Sequence, residues 1–228
     1  TPVVGGTVSI KIPGFKTVTP LHKTKQLARI LVFIRNDLMD ITQIRTELMS
    51  EGFPSIWLSV TSPNGSKLTC SLYYRLWKDT NSSTSVADQF SRFEIFMDQL
   101  RTADEKSKHM IVLGDANIDV DRYKDPSYPL IHLADHYRAQ ISSLGLKQMP
   151  LGKTFVPNKT NANGSISSSS IDHLLTSQPE KLHEYKSVPP GISDHNCTIA
   201  RVSFYTRKNP KGSKSTPSFR LKRNYRSM

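Results

Sequence analysis

Apolar and polar positions alternate or cluster so that strands and helices follow one another along the chain. Arg29–Ile34 (RILVFI) and Ser55–Val60 are short apolar runs and read as buried strands. Pro63-Asn64-Gly65 is a strong turn signal, and Lys67–Tyr74 (KLTCSLYY) completes a predicted hairpin. Asn81–Ser85 is a polar loop with helix-capping residues. From Val86 to Arg101, residues Phe90, Phe93, Ile95, Phe96, Met97 and Leu100 recur near helical spacing and predict an amphipathic helix. Met110–Leu113 (MIVL) reads as a compact strand that runs into Gly114-Asp115. A second helix is predicted over Leu130–Leu144, with Leu130, Ile131, Leu133, Ala134, Tyr137 and Ile141 on or near one face. Lys153–Val156 is a candidate short strand, Asn158–Ser170 a Ser/Asn/Gly loop, and Ile171–Ser177 and Thr198–Phe204 further strands. Strands interleaved with two helices predict α/β layers, and the early hairpin predicts a mixed sheet.

Composition narrows the class. The chain has 228 residues, 36% hydrophobic and 22% charged, as a globular protein does. It contains no apolar run near the roughly 20 residues of a membrane span, and Thr1–Phe15 lacks the order of a signal peptide. The first residue is Thr1 rather than Met, which reads as an excised or incomplete piece. Cys70 and Cys197 form no CxxC pair and no disulfide framework, so buried free thiols in a reducing, nuclear or cytoplasmic compartment are expected. A membrane protein, a secreted disulfide scaffold and a zinc finger are thereby excluded as readings.

The net charge of +12 is uneven. Residues 1–36 hold six basic groups and no acid, and residues 206–228 hold eight and no acid. The centre is close to neutral. A near-neutral body with two basic ends suits a polyanionic partner, the other reading being a solvated tail.

Three acidic motifs sit where strands end or in loops: Gly114-Asp115-Ala116-Asn117, Ser170-Ile171-Asp172-His173 and Ser193-Asp194-His195. Carboxylates with Asn and His make an oxygen-rich site with a titratable imidazole, suited to Mg²⁺-assisted attack of water on a phosphate. Any one motif alone would be an Asx turn or a cap. Tyr73, Tyr74 and Arg75 end a strand, either as an aromatic pair with a surface Arg or as a phenol and a guanidinium aimed at phosphate. Trp57 reads as core. The D-x-N-x-D-x-D run from Asp115 lacks the Gly and Glu of a calcium loop, since Val120 and Pro126 stand there. Gly152-Lys153-Thr154 has no upstream Gly for a phosphate loop, and His132 and His136 lack the adjacent Glu of a zinc protease and read as surface histidines.

The ordered set YYR, LGDAN, SSIDHLL and SDH resembles the endonuclease/exonuclease/phosphatase superfamily, and most of all the apurinic-type endonuclease domain of non-LTR retrotransposons. The resemblance runs from about Ile12 to Tyr205, giving one domain over 1–205 and a basic linker or tail over 206–228. It implies a layered α/β sandwich of two mixed or antiparallel sheets flanked by helices. It implies Mg²⁺-dependent (or Mn²⁺-dependent) hydrolysis of a phosphodiester, a nick in DNA that leaves a 3′-OH, and a reverse transcriptase as neighbour in the parent polyprotein. By the same resemblance Asp115 orients or deprotonates water, and Asn117 positions it and the phosphate. Tyr74 contacts the phosphate, and Arg75 at the same strand end is the further candidate for binding substrate. His195, held by Asp172, stabilises the phosphorane, and Asp194 lies on the metal side. Two departures stand out. Ala116 replaces a family Phe, and residues 1–36 contain no Asp or Glu, with Asn36 the first Asn. The family's metal-gripping Glu, its Asn partner and the first two strands are therefore expected to be missing. A catalytically inactive nucleic-acid-binding remnant and a phosphatase for small phosphorylated ligands are the rival readings.

Overall fold

The computed structural model describes residues 10–19, 30–50, 52–76, 86–105, 107–158, 160, 164–191 and 193–203. The Asn81–Ser85 loop, Lys23, Lys25 and Arg29 of the first basic stretch, and the whole tail over 206–228 lie outside them.

The centre of the fold is a six-stranded mixed sheet. Its strands are β3 (Thr42–Ile44), β4 (Ser55–Thr61), β5 (Lys67–Tyr74), β6 (Met110–Asp115), β8 (Asp172–Thr176) and β7 (Lys147–Gln148), side by side in that order. The predicted hairpin is β4–β5, with Thr61 opposite Lys67. Only β5 and β6 run parallel. A parallel pair needs a long crossover, and helix α1 (Val86–Asp104) lies within it.

The pleat sends alternate residues to opposite faces. Trp57, Tyr73, Met110, Val112 and Leu175 point to one face. There they meet Phe93, Phe96, Met97, Leu100 and Ala103 of α1, spaced so that they form one helical stripe. Leu133, Ala134, Tyr137 and Ile141 of α2 (Ile131–Ser143) join the same cluster. Helix α2 ends in a Schellman motif. Gly145 at φ 64° lets its own N–H reach Ser142 O, while Leu146 N–H reaches Ile141 O.

The other face is covered by two separate antiparallel ribbons. Strands β1 (Phe15–Val18) and β2 (Val32–Arg35) pack Val18, Val32 and Ile34 on Ile56 and Leu58. Strands β9 (Leu182–Val188) and β10 (Cys197–Val202) pack Leu182, Tyr185, Ala200 and Val202 near Leu68, Ile111 and Leu174. The expected α/β sandwich is present, with its second sheet divided into two two-stranded pieces. Both helices lie on the first face. Lys153–Val156 is not a strand. Only Phe155 makes bridges, to Ser169 on one side and His195 on the other. Cys70 is half-buried as a free thiol and Cys197 is exposed, so the expectation of two buried thiols holds for neither in full. No helix of the described residues is long and apolar enough to cross a membrane.

Candidate active site

Strand pairing alone brings two of the acidic motifs together. Antiparallel β6 and β8 place Asp115 opposite Asp172, and parallel β5 places Tyr74 beside Asp115. Register partners share a face, so the three side chains leave the sheet on the side covered by the ribbons. Gly114 is required at this point. A Cβ there would fall 2.1 Å from Tyr73 O and 2.7 Å from the Tyr73 ring.

The third motif arrives through residues 154–156. Val156 N–H donates to Asp194 O at 2.8 Å, and Asn196 N–H donates to Thr154 O at 2.7 Å. The same segment holds β8. The hydroxyl oxygen of fully buried Thr154 accepts from Ile171 N–H at 3.1 Å and Asp172 N–H at 2.8 Å. His195 is thereby delivered to Asp172. Its Nδ1–H donates to both carboxylate oxygens, at 3.0 and 3.2 Å, and its ring lies edge-on to Phe155 with centroids 5.1 Å apart. One ligand atom each of Asp115, Asp172 and His195 lie within 4.8 Å of one another.

Burial, and then the nearby charge of Asp172, push the Asp115 carboxyl up to about 6. Its Oδ1 accepts from Asn117 N–H at 2.9 Å. Asn117 takes the left-handed backbone, φ 49°, which Asn tolerates better than most residues. The turn is clamped from inside. Arg75 is only 2% exposed, and burial lowers its guanidinium to about 10. Its Nε donates to Ala116 O at 2.5 Å, its Nη2 to Asn117 O at 2.7 Å, and its Nη1 to the Gln89 side chain. Asn117 Nδ2 returns a bond to Arg75 O at 2.8 Å.

Asp115, Asn117, Asp172, His195 and Tyr74 are therefore gathered at one sheet end. Arg75 is neither a surface residue nor aimed outward. Its planar fork is spent on two backbone carbonyls, which makes it the brace of the Asp115–Asn117 turn. Asp194 also stands apart, its Oδ1 accepting from Asn158 Nδ2 at 2.7 Å, outside the carboxylate–imidazole cluster. Sequence reasoning missed Thr154, because a lone Thr in a loop carries no pattern. It also left open the work of His173, which is buried. His173 Nε2 lies 3.1 Å from Ile118 O, an acceptor only, so Nε2 carries the hydrogen and Nδ1 accepts from Tyr137 O–H at 2.8 Å.

Two carboxylates and an imidazole form a hard donor set. Among the described residues neither Asp115 nor Asp172 has a Lys or Arg ion pair, and each raises the other's need for positive charge. The residues present fit a divalent cation.

No protein-family model and no curated protein matches the sequence. Solved structures do match the fold. The endonuclease domain of TRAS1, a telomere-specific non-LTR retrotransposon, superposes with a TM-score of 0.62 at 15% identity, covering 84% of this chain and 81% of that one. The catalytic domain of Xenopus laevis APE2 gives 0.60 at 13% identity over 84% and 76% of the two chains. The fold is that of the endonuclease/exonuclease/phosphatase superfamily. The 3′ phosphatase NExo from Neisseria, as a single-residue variant bound to a product DNA hairpin, gives 0.58 at 18% identity over 83% and 80%. Within this superfamily fold the site described above occupies one end of the six-stranded sheet.

Proposed function

We propose that this chain is a metal-dependent phosphodiesterase domain that nicks DNA, of the kind carried by non-LTR retrotransposons beside a reverse transcriptase. The observation that carries the reading is the meeting of three separated motifs: His195 is 3.0 Å from Asp172, which is the register partner of Asp115. The carboxylates of Asp115 and Asp172 would hold Mg²⁺ or Mn²⁺, and the ion when bound supplies positive charge against the phosphate oxygens. Asp115 orients the attacking water or takes its proton. Asn117 keeps one amide hydrogen and its side-chain oxygen for that water or the phosphate. His195, held through Nδ1, offers Nε2 to the oxygens on which charge grows as the P–O bond breaks. Tyr74 stands on the far side of Asp115 from Asp172 and contacts the phosphate. The basic stretches add sequence-independent affinity for DNA.

The test is nicking of supercoiled plasmid in Mg²⁺ by the full chain beside Asp115→Ala and His195→Ala. The chain is expected to nick, and each variant to lose on the order of 10²-fold or more. A folded chain that does not nick overturns the reading. One observation favours a second reading, a non-cleaving nucleic-acid-binding domain. The cluster among the described residues contains no Glu, and residues 1–36 contain no acid. Salt-dependent DNA binding without cleavage selects that second reading.

A further inference from the structure

We propose that His173 is a positioning residue: its imidazole staples the Asp115–Ile118 turn to the Ser170–Asp172 turn and thereby sets the spacing of the two carboxylates. The purpose of that spacing rests on the phosphodiesterase reading. Asp115 and Asp172 are register partners at the end of β6 and β8, and Ala116 N–H continues the pairing with one bond to Ile171 O at 2.8 Å. Past that bond the two segments part. Asn117 takes the left-handed backbone, while Ser169 turns aside to pair with Thr154 and Phe155. The carboxylates thus stand where backbone pairing runs out, and a divalent ion needs their oxygens at fixed separations.

His173 follows Asp172 in β8, so the pleat sends its ring to the opposite, helix face, behind the carboxylates. Its Nε2–H donates to Ile118 O at 3.1 Å and to Ser170 O at 3.3 Å, one hydrogen shared between a carbonyl of each turn. Nδ1 accepts from Tyr137 O–H at 2.8 Å. With its hydrogen so used, the Tyr137 oxygen accepts from Tyr73 O–H at 3.4 Å. None of Tyr73, Tyr137 and His173 is more than 3% exposed. The ring is therefore held in one tautomer and one orientation, and it ties α2 to both turns at once. Removing the shared hydrogen takes this donor from two carbonyls where water does not replace it, and the turns lose the link between them.

The experiment compares the full chain with His173→Met, His173→Gln and Tyr137→Phe. Three quantities are read: amide hydrogen exchange in EDTA, Mn²⁺ binding by electron paramagnetic resonance, and plasmid nicking. Methionine fills the space and donates nothing. Glutamine keeps an N–H near the place of Nε2, and Tyr137→Phe removes only the hydroxyl that orients the ring. In His173→Met the Ala116 amide is expected to exchange about 10-fold faster relative to Val112 in the middle of β6. Mn²⁺ binds on the order of 10-fold more weakly, and kcat falls by a similar factor with KM for DNA unchanged. His173→Gln returns to within about 3-fold of the parent, and Tyr137→Phe loses roughly 2–3-fold. A residue that only packs speeds Ala116 and Val112 alike and leaves Mn²⁺ affinity where it was, and that result overturns the proposal. Equal losses in His173→Met and His173→Gln overturn it as well. Where His173→Met does not fold, an unchanged ratio of Ala116 to Val112 exchange in Tyr137→Phe overturns it. A parent chain that binds no Mn²⁺ or does not nick sinks the nuclease reading, and the exchange ratio then supports or overturns the staple on its own.

Discussion

The two faces of the six-stranded sheet are covered by different means. On the helix face, Trp57, Met110, Val112 and Leu175 are fully enclosed by two amphipathic helices. On the ribbon face, Ile56 and Leu58 lie under β1 and β2, and Ile111 and Leu174 lie near β9 and β10. Between them Cys70, Leu72, Tyr74 and Leu113 are only half-buried, although β5 and β6 are the central strands. Strands β9 and β10 contain no buried residue. A helix presents a broad apolar stripe, whereas a two-stranded ribbon presents a narrow one. One face is therefore built for stability. The other, less completely closed, carries the Asp115–Asp172–His195 cluster at its end.

The largest effect that sharpens this contrast is thermodynamic. Phe96→Ala on the helix face is expected to lose about 3–5 kcal/mol by urea denaturation, whereas Leu72→Ala on the ribbon face loses roughly 1–2 kcal/mol. Equal losses would erase the distinction.

The next is a pH dependence of opposite sign on the two faces. Burial holds His173, on the helix side, down at about 4 from 6.5, so the stability it contributes is present above 6.5 and lost as pH falls toward 4, up to about 3 kcal/mol. Asp115, on the ribbon side, is raised from 3.8 to about 6, so its contribution is present below 3.8 and lost as pH rises through 6. The two oppose each other between about pH 4 and 6. In EDTA, Asp115→Asn is expected to leave stability rising with pH, and His173→Gln to leave it falling. Urea midpoints at pH 4.5 and 6.5 decide the matter.

The smallest effect is chemical. Exposed Cys197 is expected to react with a disulfide reagent at pH 8 at once. Cys70, half-buried and with its thiol pushed up to about 12 by burial, should react much more slowly. Two fast equivalents would mean that the seam between the ribbons admits the reagent.

The contrast also explains what could be read from the sequence. The hairpin β4–β5, both helices, β6 and β8 announce themselves because their burial is strong and periodic. Strand β9 (LHEYKSV) was invisible, since half-buried residues on a ribbon give no alternation, and two-residue β7 is too short for any pattern. The three acidic motifs were legible as pieces. Their convergence depends on register, on the Phe155 bridges and on Thr154, none of which leaves a local trace. Arg75 misled for a physical reason. A guanidinium at a strand end suggests solvent, but here carbonyls 41 and 42 residues away replace water.

That same span has a kinetic consequence. The brace of the Asp115–Asn117 turn cannot form until β5 and β6 align in parallel, which requires closing the long crossover that contains α1. Local helix forms in microseconds, and non-local parallel pairing follows later. In a refolding chain the helical signal returns first, and a correctly set Asn117 is among the last features to arrive.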